Sequence, residues 1–304
     1  MIRRRTQDNR FDLPRVTINH VAHPMGIATR KLVESMVVDT DIDDTVSEEN
    51  SPNLLKQRLA ICHPALVEVL DAEEKGDDEV TWENLRSQLQ QDWVSSERLA
   101  RAFRCYKEYH EKHEGYSQPS RTVIFSEWTQ LLDLMGIEIE HRTGSTAVYR
   151  IDDNIPLNDR WEVVTKFRQS PSGSVMLATF RAEWQSTSRA ADHFIILART
   201  LTPMIELRAI TRIHRKDHME DVTVDVLKCP DATIENKVDE IRKVKSRFYE
   251  DILEASGKRT PGDVAVDVLD GRFSMIWPLF VPPGDMRALQ RYAPGLEDLA
   301  SSVI

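Results

Sequence analysis

The chain has little cysteine, little glycine and no long hydrophobic run. Its 304 residues include three cysteines, Cys62, Cys105 and Cys229. They lie far apart and form no Cys-x-x-Cys pair, so the sequence favours neither a zinc site nor a disulfide framework. No apolar run approaches the ~18 residues of a membrane helix. The basic start, MIRRRTQDNRFDLPR, lacks the apolar centre of a signal peptide. We therefore expect a nuclear or cytoplasmic protein that is not secreted and does not enter a membrane.

A phosphate loop of the Walker A type is also missing. That loop uses glycine backbone amides and a lysine to hold nucleotide phosphates. The chain has 11 glycines, and its single Gly-Lys pair is Gly257–Lys258, which has no glycine at the required spacing upstream. A Gly-x-Ser-x-Gly nucleophile motif is absent as well. These absences argue against an ATPase site or a hydrolase of that class built by these residues alone.

Positive charge is in deficit, with 40 Lys and Arg against 50 Asp and Glu, a formal net charge of -10. Nonspecific DNA binding depends on neutralising phosphates, so the composition does not favour strong DNA binding by this chain alone. The stretch LRAITRIHRKDH (207–218) is an exception, because it concentrates four Arg or Lys residues in twelve positions. A solvated helix face and a set of cations directed at a phosphate both fit this pattern.

Composition and hydrophobic pattern divide the chain into four segments. Residues 1–53 are poorly defined apart from a strand candidate, VTINHVAH; 54–120 form a helical lead-in; and 257–304 form a C-terminal extension without a functional interpretation. In the lead-in we expect a solvated turn at DAEEKGDDE (71–79) and a helix at SSERLARAFRCYKEYHEKHE (95–114), with Ser95 or Ser96 as its N-cap and one apolar side. Between them, residues 121–256 alternate short apolar runs with amphipathic helical patterns. Such alternation predicts an α/β fold with a mostly parallel sheet flanked by helices.

Several ordered motifs in this chain resemble the second RecA-like lobe of Swi/Snf-type DNA-translocating ATPases. The resemblance covers about 55 to 255, and its motifs are LAICHPALV, IFSEWTQLLDLM, VYRIDDNIPLNDRWEVVTKF, IILARTLTPMIELRAITRIHRKDH and ATIENKVDEI. Each motif alone is a weak signal, and their order and spacing make the match specific. The resemblance implies a RecA-like sheet, and it implies nuclear localisation by analogy with the family.

The resemblance also implies roles for five residues. Arg212 and Arg215 match the family's arginine pair, which faces ATP phosphates across the cleft between two lobes. Arginine fingers of this kind stabilise charge on a transferring phosphoryl group. Ser126 and Trp128 match a motif associated with the DNA backbone, and Thr179 matches a hydroxyl that would contact a DNA phosphate.

The chain departs from the family pattern at positions that would face nucleotide or DNA. Where the family has a glycine-rich loop, this chain has ATFRAEWQSTSRAAD (178–192), whose side chains would crowd a nearby strand of DNA. Glu127 stands for a glutamine, Asp153 for a glycine and Arg208 for a glutamine. We expect these changes to weaken both surfaces.

Three kinds of protein fit this sequence. The first is a solitary, degenerate lobe without ATPase activity that serves a regulatory or partner-binding role. The second completes a DNA-dependent ATPase with another protein that carries an N-terminal ATP-binding lobe, so that ATP and Mg²⁺ bind only when that lobe is present. The third is an unrelated α/β scaffold, in which the arginines of 208–215 form a solvated face paired with the nearby acidic residues Glu206, Asp217 and Glu220.

Overall fold

The fold was analysed in a computed structural model that describes residues 15–36, 52–76, 80–116, 119–182, 191–213 and 221–255. Within these ranges the strands are β1 Val16–Ala22, β2 Thr122–Ser126, β3 Val148–Ile151, β4 Val175–Thr179, β5 His193–Ile196 and β6 Val222–Lys228. The helices are α1 Ile27–Met36, α2 Pro52–Cys62, α3 Pro64–Lys75, α4 Trp82–Gln91, α5 Glu97–Lys112, α6 Thr129–Thr143, α7 Leu157–Gln169, α8 Pro203–Ile213 and α9 Thr233–Ala255. No helix among the described residues is long and apolar enough to cross a bilayer.

The six described strands form one parallel sheet in the order β1-β6-β5-β2-β4-β3. Strands β2, β4 and β5 are buried along their whole lengths. Continuous apolar runs are typical of strands that are covered on both faces, as parallel strands are. The expected α/β architecture with a parallel sheet is confirmed.

Successive side chains of the central strand β2 point to opposite faces of the sheet, and the core therefore has two layers. Val123 and Phe125 pack on one face with residues of β4, α7 and β6, whereas Ile124 packs on the other with α2, α5 and α6. Successive side chains of a strand point to opposite faces, so one apolar run can supply both layers. The helical lead-in and α9 therefore cover one face, and α7 and α8 cover the other.

Helix α5 confirms the strongest helical prediction of the lead-in. The Ser96 side chain caps the helix by accepting a hydrogen bond from the Leu99 backbone N–H at 3.3 Å, which satisfies one of the unpaired donors of the first turn. Leu99, Phe103 and Tyr106 are buried on one side of the helix. This side packs against β5 and β6.

Strand β1 shows that the sheet draws on residues before the lead-in. It pairs in parallel with β6 from Val16 opposite Val222 to Ala22 opposite Lys228. The strand predicted from VTINHVAH is therefore confirmed. Its position in the sheet could not be inferred from the sequence, because the two partners lie about 206 residues apart.

One local prediction was wrong: the acidic stretch beginning at Asp71 was expected to form a solvated turn, yet α3 continues to Lys75. Asp71 and Glu74 pair with Lys56 of α2 at 2.7 and 2.6 Å while Ala72 remains buried, so charge alone does not break the helix. The helix ends at Gly76, whose φ of 69° is the left-handed geometry that glycine adopts without strain. Helices α1 and α4 and strand β3 were not identified from the sequence.

Candidate functional site

The carboxyl ends of the parallel strands define the candidate site. Ligands of open α/β sheets bind outside these ends, near the point where successive strands are added on opposite sides. Here β3 and β4 lie on one side of β2, and β5 and β6 lie on the other. The residues that follow β2, β4 and β5 therefore meet at one edge of the sheet.

Ser126 and Trp128 form a tight turn directly after β2. The Ser126 hydroxyl donates to the Trp128 carbonyl at 3.0 Å and accepts from the Trp128 backbone N–H at 2.9 Å. Ser126 is fully buried. Its hydroxyl thus holds the turn, and the Trp128 ring contacts the Arg58 guanidinium, whose central carbon lies 4.7 Å from the ring centre.

Thr179 ends β4 and lines a cavity at this edge that measures about 240 Å³ including the solvent at its mouth. The other lining residues are Glu127, Asp153, Arg181, Thr200, Phe180 and Ile205. The Thr179 residue is 3% exposed, and its hydroxyl has no hydrogen-bond partner within the described residues. The structure therefore brings the matched hydroxyl together with Glu127 and Asp153, the two acidic residues that depart from the family pattern.

The two carboxylates of this cavity are held differently. Glu127 forms an ion pair with Arg58 at 2.9 Å, and Arg58 also donates to the Arg199 carbonyl at 2.8 Å. Asp153 has a side chain that is 61% exposed, and its nearest cation is Arg160 at 4.0 Å. Only one of the two acidic charges is thus closely compensated by a cation.

Helix α8 carries Arg212 in its last turn, but the side chains of Arg208 and Arg212 lie outside the described structure, and Arg215 lies outside the described residues altogether. The roles assigned to the arginine pair remain predictions.

The start of α8 is fixed by a buried ion pair. Glu206 is 4% exposed and accepts from the Thr200 backbone N–H at 2.6 Å and from the Arg242 guanidinium at 2.9 and 2.7 Å. Burial raises the pKa of the Glu206 carboxyl, against the opposing charges of Arg242 and Arg199. The described partners of Glu206 therefore lie in the loop after β5 and on α9, rather than on a solvated face of α8.

A second cavity opens at the carboxyl ends of β2, β5 and β6, on the face covered by the lead-in. It is lined by Arg58, Cys62, Arg98, Trp128, Ala198, Arg199, Lys228, Glu235, Val238 and Asp239. These residues come from α2, α5, α9 and three strand ends, spread over more than half of the chain. Sequence reasoning missed this cluster, because no short motif joins its members.

Known proteins are similar to this chain in sequence and in fold. No family model matches it. The helicase-like transcription factor CHR28 of Arabidopsis thaliana is 33% identical over 151 residues, which are 48% of this chain and 15% of that protein. The human chromatin-remodeling ATPase INO80 is 28% identical over 138 residues, 45% of this chain and 9% of that protein. The matched part is thus a small fraction of each relative.

The fold likeness extends further than the sequence likeness. The crystal structure of the C-terminal part of the Fun30 ATPase domain superposes with a TM-score of 0.58 at 16% identity, covering 85% of this chain and 98% of that one. The chain thus has the parallel α/β fold seen in the C-terminal part of the Fun30 ATPase domain. Over about half of its length its sequence is similar to a small part of helicase-like and chromatin-remodelling proteins.

Proposed function

We propose that these 304 residues act as a degenerate helicase C-terminal lobe that has no ATPase activity of its own and serves a regulatory or partner-binding role. A motor of this family closes two lobes around ATP, and the first lobe supplies the phosphate loop and the magnesium-binding carboxylates. The sequence carries no phosphate loop. Stable ATP or Mg²⁺ binding then depends on a first lobe supplied by another protein.

The observation that carries this proposal is the acidic cavity at the carboxyl edge of the sheet. Glu127 and Asp153 line the same cavity as Thr179, the residue matched to a phosphate-contacting hydroxyl. Two unit charges ~4 Å apart interact by about 1 kcal/mol even in water. Carboxylates at this position therefore repel a DNA backbone and support weak DNA binding by the chain alone.

A second candidate function is supported by the retained pair Arg212 and Arg215. Together with a separately encoded ATP-binding lobe, these side chains would stabilise the charge of the transferring phosphoryl group. The chain would then be half of a DNA-dependent ATPase. This candidate requires a partner with a Walker A motif, and such a partner would copurify with the chain.

The names of the relatives also support a subcellular location for this chain. They include a chromatin-remodelling protein of Arabidopsis thaliana and the human remodelling ATPase. We propose nuclear localisation on this basis. A tagged full chain that accumulates outside the nucleus would oppose this part of the proposal.

Neutralising the two carboxylates is expected to strengthen DNA binding. The substitutions Glu127→Gln and Asp153→Asn keep the side-chain shapes and remove two negative charges. With about 1 kcal/mol from relieving the repulsion of Asp153 and a smaller gain from Glu127, whose charge Arg58 compensates, the double variant should bind a short DNA duplex roughly tenfold more tightly at low salt. Fluorescence anisotropy at several salt concentrations measures both the affinity and its salt slope.

The matched control is Glu162→Gln on α7, which removes one exposed carboxylate that pairs with Lys166 away from the cavity. Its affinity should stay within about twofold of the unmodified chain, since exposed pairs contribute little. Equal affinities for the unmodified chain and the double variant would show that the acidic cavity does not limit DNA binding.

A further inference from the structure

The cavity lined by Arg58, Arg98, Arg199 and Lys228, called the basic cavity below, has features of an anion site. It encloses about 370 Å³, including the solvent at its mouth. Four cationic side chains line it together with the carboxylates of Glu235 and Asp239, and two of the cations, Arg58 and Arg199, also pair with Glu127 and Glu206 outside the lining. We propose that the basic cavity binds a phosphoryl oxyanion, independently of the arginine pair on α8.

The cations of the basic cavity are held in place by their own ion pairs. Arg98 pairs with Glu235, and Arg199 and Lys228 both pair with Asp239. Arg58 is fixed by Glu127 and by stacking on Trp128. Each cation is thus positioned before a ligand arrives, and preorganised groups bind at a lower entropic cost.

Two guanidinium groups retain donors that an oxyanion can use. The Nε–H groups of Arg98 and Arg199 are buried, and neither has a hydrogen-bond acceptor among the described residues, although Arg199 Nε lies 3.6 Å from the Glu206 carboxylate. Arg98 is 1% exposed, although its other nitrogens bond to the Leu197 carbonyl at 2.7 Å and to Glu235. A buried donor without a hydrogen-bond partner is unfavourable. An oxyanion in the basic cavity would supply acceptors for both.

The cations of the basic cavity stabilise a negative charge placed beside them, as Asp239 shows. The pKa of Asp239 is lowered: burial opposes its ionisation, but the hydrogen bond and charge of Lys228 with the charges of Arg199 and Arg242 outweigh burial. Burial also raises the pKa of the neighbouring Cys62 thiol to about 11, so this group stays neutral near pH 7. The Cys62 thiol therefore adds no negative charge that would compete with a ligand.

The position of the basic cavity gives binding a structural consequence. Its walls come from lead-in helices α2 and α5, from the ends of β5 and β6, and from α9. An anion bound there would cross-link the lead-in to the sheet and to the helix that follows the last described strand. Binding of a phosphate, either free or part of a nucleic acid, would therefore change how the lead-in packs on the sheet.

Titration calorimetry with the purified full chain tests this proposal. Inorganic phosphate and pyrophosphate are titrated at constant ionic strength against a chloride blank, and we expect saturable binding with pyrophosphate tighter than phosphate. Lys228→Met and Arg199→Gln should each weaken pyrophosphate binding at least fivefold. Lys166→Met, which removes an exposed lysine of α7, should leave it unchanged.

A single-stranded oligonucleotide without a terminal phosphate identifies the source of the phosphoryl group. If the oligonucleotide competes with pyrophosphate for the unmodified chain, and this competition is lost in Lys228→Met, the basic cavity binds a nucleic-acid phosphate. Pyrophosphate binding without such competition assigns it to a free phosphate. The proposal is overturned if neither ligand binds below about 10 mM, or if both basic-cavity variants bind as the Lys166→Met control does. The DNA affinity of Asp153→Asn alone, which leaves the ion pair between Glu127 and Arg58 intact, is a separate readout, so the two proposals can fail independently.

Discussion

Replacing Arg98 with methionine should destabilise the fold by about 3–5 kcal/mol, because it breaks a buried ion pair. Arg98 lies on α5 with its guanidinium inside the protein, where it binds the Leu197 carbonyl after β5 and the Glu235 carboxylate of α9. Methionine retains much of the apolar stem but leaves both acceptors without this donor. Urea unfolding followed by circular dichroism measures the loss in free energy of unfolding.

The control for this prediction is Lys107→Met on the same helix. Lys107 and its partner Glu111 are both 61% exposed, and exposed pairs contribute about 0–1 kcal/mol. Adding Glu235→Gln to Arg98→Met should recover part of the loss, since the unpaired carboxylate is then removed. A loss below about 1 kcal/mol in Arg98→Met would show that the arginine does not join the lead-in to the sheet.

Acidification should destabilise the chain between about pH 6.5 and pH 4. Burial lowers the pKa of His110 and of His23 from the ordinary 6.5 to about 4. In that interval the unfolded chain binds more protons than the folded chain, so stability is complete above pH 6.5 and falls as the pH approaches 4. At pH 5 the cost is about 2 kcal/mol for each histidine.

The contacts of His110 explain why its neutral form is favoured. One ring nitrogen lies 2.6 Å from the Ser120 hydroxyl and the other 2.9 Å from the Thr122 hydroxyl. The Thr122 hydroxyl also lies 3.0 Å from a ring nitrogen of His193, whose other nitrogen is 3.1 Å from Asp225. Nearby His193 and His113 would repel a protonated His110, which adds to the effect of burial.

A difference measurement isolates this histidine from the carboxyl groups that titrate at lower pH. Free energies of unfolding at pH 7.5 and pH 5 are compared for the unmodified chain and for His110→Gln. The variant should lose about 2 kcal/mol less on acidification, whereas His141→Gln, at an exposed position of α6, should behave like the unmodified chain. Equal losses in all three chains would contradict the assignment.

The fold was largely predictable because its signals are local. The buried strands read as short apolar runs, and the cap at Ser96 with the apolar side of α5 identified that helix. The pairing of β1 with β6 was not predictable, because nothing in VTINHVAH specifies a partner about two hundred residues away. Strand β3 was not predicted, because only one of its four residues is fully buried.

The candidate site was predictable only where a family motif marked it. Ser126, Trp128 and Thr179 were named from motif positions, and all three lie at or directly after the carboxyl end of a strand. Glu127 and Asp153 lie close to Thr179 because of the order of β2, β3 and β4 in the sheet, and the sequence motifs do not specify this order. The basic cavity depends on helices of the lead-in folding over the strand ends, which the charge pattern of the sequence does not reveal.

Hydrolysis of ATP by the purified chain, with and without duplex DNA, tests the central claim most directly. We expect release of phosphate at the rate of a buffer blank in both cases, because the sequence contains no Walker A motif. Adding a separately purified first lobe should restore DNA-stimulated hydrolysis only under the second candidate function. DNA-stimulated hydrolysis by the chain alone, abolished by Arg215→Ala, would contradict the account.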